Sequence, residues 1–158
     1  MKAFNLYTHY KKILADTITP VSIYLKIRDK YPNSILLESS DYHANDNSFS
    51  YICFNPIASI KVENETIIQT FPDSSSTHLN ITESADVTQE IHQFTKRFKI
   101  NSDTNFKFIN NGIFGYIAYD AVRYFEDIDV SKKENSINIP DIYYAVYQNI
   151  IAINHHKN

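Results

Sequence analysis

Three polar residues, Ser39, Asp41 and His43, lie close enough in the sequence to suggest a hydrolytic triad. A triad is defined by its geometry, however, and the nucleophile needs an oxyanion hole beside it. The chain has no Gly-x-Ser-x-Gly elbow, and its only glycines are Gly112 and Gly115. The sequence therefore argues against a hydrolase, and it assigns no catalytic residue.

Glu38 is a carboxylate that follows the apolar run Ile35-Leu36-Leu37 directly. Burying a charge costs free energy unless the charge is paired. One interpretation is a structural carboxylate with a lysine or arginine partner nearby. The other is a carboxylate that receives the ammonium group of a ligand. On residue type alone the structural interpretation is favoured, and the ligand interpretation stays open.

Metal and cofactor sites find little support in the sequence. The six histidines show no His-x-x-x-His spacing, and His155-His156 would point to opposite faces of a strand, as solvated surface residues. One cysteine, Cys53, allows neither an internal disulfide nor a cysteine-rich zinc site. Two glycines are too few for a loop that cradles phosphates. We therefore predict no metal and no cofactor in this chain.

Composition narrows the class of protein. The net charge is -3 and the pI is about 6.0, with no basic stripe that would neutralise nucleic acid. No apolar run reaches the length of roughly 20 residues that spans a membrane, nor is there an apolar stretch typical of a signal peptide. A cytoplasmic protein is predicted. The length of 158 residues fits a single domain over residues 1–158.

Capping residues predict the helices. Thr19-Pro20 is a helix start, because threonine caps a helix and proline fits its first position. Pro32 should end that helix. Asp86 should start a second helix with Gln89 as its capping-box partner. The apolar stripe of this second helix would consist of Val87, Ile91, Phe94 and Phe98. A third, short helix would be capped by Asp120.

The remaining patterns predict strands. An early strand is expected within residues 3–15, and others at 34–39, 51–54, 57–62, 66–69 and 113–119. Asn55-Pro56 should separate two of them, residues 63–65 should form a hairpin turn, and residues 72–77 and 127–138 should be loops. A long final strand over 142–153 should find its partner elsewhere. These elements predict an α+β fold with antiparallel, sandwich-like sheets and a few flanking helices.

The segment from Gly112 to Glu126 is dense in aromatic residues. Its simplest interpretation is packing against a second domain. Arg123 and Glu126 are three residues apart, so on a helix they would form a surface pair of little energy.

Several of these motifs occur together in a distinctive order, and they resemble one family over nearly the whole chain. The chain is similar to the N-terminal domain of anthranilate synthase component I. The motifs that carry the resemblance are Thr19-Pro20-Val21-Ser22, Leu36-Leu37-Glu38-Ser39-Ser40, Asn55-Pro56-Ile57-Ala58, Gly115-Tyr116 with Tyr119-Asp120-Ala121-Val122-Arg123, and Pro140-Asp141.

The resemblance implies a role in tryptophan biosynthesis. The full subunit of that family converts chorismate to anthranilate, using Mg2+ and ammonia from a glutamine amidotransferase partner. Chorismate and Mg2+ bind in a C-terminal catalytic domain that is absent from this sequence, so the chain alone is expected to be inactive. By resemblance, the N-terminal domain wraps the catalytic domain and forms part of the feedback site for L-tryptophan. The positions that match the inhibitor pocket are Pro20, Leu37, Glu38 and Ser39, which favours a ligand role for Glu38.

One departure and two alternatives follow from the same comparison. The family usually has arginine in Arg-Tyr-Ser-Phe-Ile, where this chain has Ser48, and loss of that arginine is expected to affect inhibitor affinity. The related aminodeoxychorismate synthase of the folate pathway shares the fold. A further alternative is an interaction domain that binds no small molecule and docks a partner through residues 116–126.

Overall fold

The computed structural model describes residues 2–38, 48–81, 86–102, 106–126 and 139–155. Its helices are α1 (Pro20–Ile27), α2 (Val87–Lys96) and a 3-10 helix (Tyr119–Tyr124). Its strands are β1 (Phe4–Tyr7), β2 (Ile35–Leu37), β3 (Phe49–Glu63), β4 (Thr66–Thr70), β5 (Ser76–Asn80), β6 (Phe98–Asn101), β7 (Phe114–Ile117) and β8 (Ile142–Asn154). The sheets are mostly antiparallel and the helices few, which confirms the predicted α+β class.

The chain divides into two compact units. The first comprises Met1–Phe4, Ile57–Lys99 and Ile113–Val146, and the second comprises Asn5–Pro56, Ile100–Gly112 and Tyr147–Asn158. The long strands β3 and β8 contribute residues to both units. The prediction of one domain over residues 1–158 stays a prediction.

The first unit is built on a sheet with the strand order β5-β4-β3-β8-β7. Asn64 and Glu65 join β3 to β4 with φ of 50° and 58°. Positive φ at both turn residues suits the twist of a hairpin, so the predicted turn is confirmed. Ile60, Val62 and Ile67 alternate with more exposed neighbours and are buried in the core.

Helix α2 begins as predicted. The Asp86 carboxylate accepts the backbone N–H of Thr88 at 2.7 Å and that of Gln89 at 3.3 Å. These bonds satisfy donors that have no partner within the helix. Phe94, on the apolar face of α2, is fully buried with its ring centroid 5.7 Å from that of Phe71.

The predicted extension of the α2 stripe to Phe98 is wrong. The helix ends at Lys96, and Phe98 begins β6, which pairs with β1. The backbone N–H of Phe4 donates to the Arg97 carbonyl at 2.7 Å, so that carbonyl is bonded to the neighbouring strand at the point where the helix stops. The Phe98 ring nevertheless packs against Phe94, with centroids 5.2 Å apart.

Helix α1 of the second unit starts at the predicted residue but ends earlier than predicted. It stops at Ile27, because the next turn tightens: the N–H of Lys30 donates to the Ile27 carbonyl at 2.9 Å. Asn33 then adopts φ of 60°, which reverses the chain before β2. The Tyr147 hydroxyl donates to the Asn33 carbonyl at 3.1 Å and holds this turn in place.

Strand β3 is continuous, whereas the sequence predicted two strands separated at Asn55-Pro56. Asn55 has φ of 56°, and its side-chain amide donates to Asn149 Oδ1 at 2.9 Å. Asparagine tolerates the left-handed conformation well and proline has no N–H to place in the ladder. The pair therefore distorts β3 locally without ending it.

Three further predictions are corrected. Residues 72–77 were predicted as a loop, but β5 begins at Ser76; all five of its residues are exposed, so it lacks an apolar signal. Asp120 does not cap the 3-10 helix, since Ala118 occupies the cap position without a side-chain bond. Strand β8 finds its neighbours, β3 and β7, within this chain.

Candidate functional site

Helix α1 and strand β2 position two of the predicted site residues. Thr19 Oγ1 accepts the Ser22 N–H at 3.1 Å, while Ser22 Oγ accepts the Thr19 N–H at 3.2 Å, so a reciprocal capping box fixes the start of α1 at Pro20. Helix α1 packs against β2 after a short turn. Pro20, at the start of α1, and Leu37, at the end of β2, are both half-buried.

The register of β2 on β3 identifies a neighbour of Leu37 that the sequence did not. Leu37 lies directly opposite Tyr51 in an antiparallel pair. Side chains of opposed residues share one face of the sheet, so the Tyr51 ring lies beside Leu37. Phe49, two residues before Tyr51, projects from that face too. Ser50 and Ile52 on the other face are fully buried, whereas Phe49 and Tyr51 are only half-buried.

Glu38 follows β2 directly and is exposed. It makes no hydrogen bond or ion pair with another residue of the part that the structure describes. The predicted alternative of a structural carboxylate with a local lysine or arginine partner therefore finds no partner among the described residues. Ser39, the fourth predicted site residue, lies outside the described residues, as do Asp41 and His43.

His155 is exposed, as predicted, and it also makes two specific hydrogen bonds. Its ring Nε2 lies 2.7 Å from Ser50 Oγ, and its backbone N–H donates to the Ser48 carbonyl at 3.1 Å. These bonds tie the end of β8 to the beginning of β3. At position 48, where the resemblance would place an arginine, the serine therefore takes part in this link through its backbone carbonyl.

A row of aromatic rings extends from Tyr51 across the second unit. Consecutive ring centroids lie between 4.9 Å and 6.3 Å apart, distances typical of favourable aromatic pairs. We call this set the aromatic row; its members are Tyr51, Phe49, Phe108, Phe106 and Tyr10. The alternation Phe106-x-Phe108 and Phe49-x-Tyr51 was visible in the sequence, but nothing in it showed that the two segments meet.

The segment that carries the Gly-Tyr and Arg motifs serves the architecture of the first unit. Arg123 does not pair with Glu126 as predicted; its Nη2 donates to Asp141 Oδ2 at 2.6 Å. The Tyr124 hydroxyl donates to the same oxygen at 2.9 Å. A second Arg123 bond, from Nη1, reaches the Asp120 carbonyl at 2.8 Å. The arrangement ties the 3-10 helix to the start of β8.

Burial raises the pKa of Tyr124 to about 12, and the hydrogen bond to the Asp141 carboxylate adds to this shift. The folded state therefore keeps the Tyr124 proton at a pH where the unfolded chain, with a pKa near 10, has lost it. The stability due to neutral Tyr124 is fully present below about pH 10 and is lost as the pH rises towards 12.

We therefore expect the free energy of unfolding in urea to fall between pH 10 and pH 12, and to fall less steeply in Tyr124→Phe. Phenylalanine has no phenolic proton to lose, so Tyr124→Phe should lack this part of the fall in the free energy of unfolding at alkaline pH. Tyr119→Phe is the matched control because Tyr119 is 88% exposed. Equal slopes for Tyr124→Phe and the unmodified chain would contradict the assignment.

The described residues offer few other kinds of site. None of their His, Cys, Asp and Glu side chains form a group of three or more that could hold a metal ion. The same residues include no helix long and apolar enough to cross a membrane. Cys53 is buried, and burial raises the pKa of its thiol to about 12, so it stays protonated and is a poor nucleophile.

The fold resembles a solved structure. The crystal structure of anthranilate synthase component I from Streptococcus pneumoniae superposes with a TM-score of 0.50 at 22% sequence identity. The superposition covers 95% of this chain and 30% of that one. This likeness identifies the fold class to which the chain belongs.

Curated relatives give the more specific relationship. Anthranilate synthase component 1 from Lactococcus lactis is 28% identical over 151 residues, which is 93% of this chain and 30% of that protein. The Aquifex aeolicus protein of the same name is 28% identical over 95% of this chain, and the Pseudomonas putida one is 32% identical over 88%. No protein-family model matches the chain. The chain is thus related to the N-terminal region of anthranilate synthase component 1, as the motifs predicted, and spans about 30% of the length of these relatives.

Proposed function

We propose that this chain is the regulatory N-terminal region of an anthranilate synthase component I and forms part of its L-tryptophan feedback site. The observation that carries the proposal is the position of Glu38. Its carboxylate is exposed and has no partner among the described residues, and it follows Leu37, which lies beside the Tyr51 ring. An exposed carboxylate one residue away from a half-buried apolar position suits an amino acid with a large aromatic side chain.

The chemistry of an amino-acid ligand fits both parts of this site. The α-ammonium group would donate charged hydrogen bonds to Glu38, and such bonds contribute about 1.5–3 kcal/mol each. The indole would cover Leu37 and Pro20, which are half-buried and belong to two elements that contact each other, β2 and α1. Ser39 completes the proposed set of ligand residues.

The proposal assigns the rest of the enzyme to parts that this chain does not span. In it, chorismate and Mg2+ bind to a catalytic domain, ammonia comes from a glutamine amidotransferase subunit, and the assembly works in the cytoplasm. The chain alone is then inactive as a lyase and uses no cofactor of its own. Tryptophan would inhibit by favouring an inactive arrangement of the enzyme over an active one. The free energy by which it shifts this equilibrium equals the difference between its binding free energies for the two arrangements, typically about 1–3 kcal/mol.

Replacing Glu38 with glutamine should weaken L-tryptophan binding about tenfold to a hundredfold, because a charged hydrogen bond is replaced by a neutral one. The chain contains no tryptophan, so indole fluorescence comes from the ligand alone and its anisotropy reports binding. Glu126→Gln removes the same charge from an exposed glutamate of the first unit and should leave the affinity unchanged. An unchanged affinity in Glu38→Gln would reject the site.

Two observations favour a docking role as the second candidate. Tyr119 is 88% exposed, and neighbouring Tyr116 and Ile117 are 38% and 48% exposed on β7, the last strand of the sheet order. A surface of this kind is typical of a protein interface. Failure of tryptophan, phenylalanine and tyrosine to bind, together with tight docking of a catalytic domain, would favour this candidate.

Product analysis of the intact enzyme would separate anthranilate synthase from aminodeoxychorismate synthase.

A further inference from the structure

Tyr51 makes two contacts that together link the candidate site to a distant segment of the sequence. Its ring lies opposite Leu37 in the β2–β3 register. Its hydroxyl accepts the backbone N–H of Ile109 at 3.2 Å. One residue thus touches the strand that presents Glu38 and the segment of residues 106–111.

The segment of residues 106–111 has no helix or strand of its own, yet it is fixed at several points. The Phe108 ring packs against Phe49 with centroids 5.6 Å apart. Asn111 Nδ2 donates to Thr8 Oγ1 at 2.7 Å. All of these residues belong to the second unit, so the contacts are internal to one compact body.

The burial pattern separates this face from the core. The residues that alternate with Phe49 and Tyr51, namely Ser50 and Ile52, have no exposed surface. Phe49, Tyr51 and Phe108 are all half-buried. A face of half-buried rings beside the strand that leads to Glu38 offers apolar surface to a ligand that carries an aromatic ring.

We propose that Tyr51 is a positioning residue for the aromatic ring of the ligand. Its own ring forms part of an aromatic wall beside Leu37, and its hydroxyl holds residues 106–111 where the Phe108 ring extends that wall by packing against Phe49. The extent of this wall would set how large an aromatic ring it contacts, and hence the preference for L-tryptophan over the smaller L-phenylalanine. This inference rests on the proposed function, because it concerns the same site.

Three variants test the proposal by indole anisotropy, with L-phenylalanine as a competitor. Tyr51→Phe keeps the ring and loses one neutral hydrogen bond, so L-tryptophan should bind about fivefold more weakly. Tyr51→Ala also loses the ring, and Phe108→Ala loses another ring of the same wall; each should weaken binding about tenfold or more. All three should reduce the ratio of the L-tryptophan to the L-phenylalanine affinity, which mere destabilisation of the fold would not do.

Tyr124→Phe is the matched control, because it removes one tyrosine hydroxyl from a hydrogen bond within the first unit, whereas Tyr51 and Phe108 belong to the second. It should bind L-tryptophan as the unmodified chain does. Unchanged affinity and unchanged selectivity in Tyr51→Phe and Phe108→Ala, while the unmodified chain binds, would overturn this inference and leave the proposed function standing. Failure of the unmodified chain to bind L-tryptophan would overturn both.

Discussion

Replacing Gly115 with alanine should lower the free energy of unfolding by about 3 kcal/mol, the upper end of the usual cost of overpacking. Gly115 lies on β7 opposite Tyr144 of β8. A methyl group at this position would overlap the Tyr143 carbonyl oxygen and lie 2.8 Å from both the Tyr143 carbonyl carbon and Tyr144 Cα. These are backbone atoms of the paired strand, so relief requires the β7–β8 ladder to separate.

The other glycine provides the control for Gly115→Ala. Gly112 has φ of 136°, a conformation that strains an alanine, but a methyl group there would meet no atom within 4 Å. Gly112→Ala should therefore cost only about 1 kcal/mol, from backbone strain alone. Urea unfolding of the two variants at neutral pH measures the difference. Equal losses of stability would show that the close approach of β7 and β8 is not what requires glycine at position 115.

Replacing Asp141 with alanine should lower the free energy of unfolding by about 2 kcal/mol, which is less than the roughly 3–5 kcal/mol expected for one partner of a fully buried pair. The Asp141 and Arg123 side chains are each 20% exposed, so water offsets part of the loss. Removing Asp141 Oδ2 leaves both Arg123 Nη2 and the Tyr124 hydroxyl without that acceptor. Arg123 would keep its bonds to the Asp120 carbonyl and the Tyr124 hydroxyl, but its Nε is already buried without a hydrogen-bond partner among the described residues, so the guanidinium would lose its one carboxylate partner there.

A surface ion pair with the same N–O distance separates the effect of burial from that of the ion pair itself. Lys2 Nζ donates to Asp73 Oδ2 at 2.6 Å, but the Lys2 side chain is 62% exposed. Asp73→Asn should leave the urea midpoint almost unchanged, because exposed ion pairs contribute little. A shift in Asp73→Asn as large as that in Asp141→Ala would contradict the role assigned to Asp141.

Local signals in the sequence predicted the features that depend on neighbouring residues. Thr19-Pro20 and Asp86 fixed both helix starts, because a cap is a contact between residues two or three apart. The turn at Asn64-Glu65 was predictable for the same reason. In the candidate site, the apolar run before Glu38 predicted β2, although the strand covers only Ile35–Leu37 of the predicted residues 34–39.

Features that depend on distant residues were not predictable from one sequence. Arg123 and Glu126 fit a local pair, but the partner of Arg123 is Asp141, 18 residues further along. Tyr51 joins the site only through the register of β2 on β3, and its contact with Ile109 spans 58 residues. A strand such as β5, exposed at all five residues, carries no apolar alternation at all. Backbone pairing with β4 decides its structure.

The most direct test of the central claim is a titration of the unmodified chain with L-tryptophan and, separately, with D-tryptophan, followed by the anisotropy of indole fluorescence. Because the chain contains no tryptophan, all of the emission comes from the ligand when excitation is at a wavelength that tyrosine does not absorb. The account predicts a saturable rise with L-tryptophan and none with D-tryptophan, since a feedback site for the L-enantiomer has to recognise its ammonium, carboxylate and indole groups together. No rise with L-tryptophan, or an equal rise with both, would contradict it.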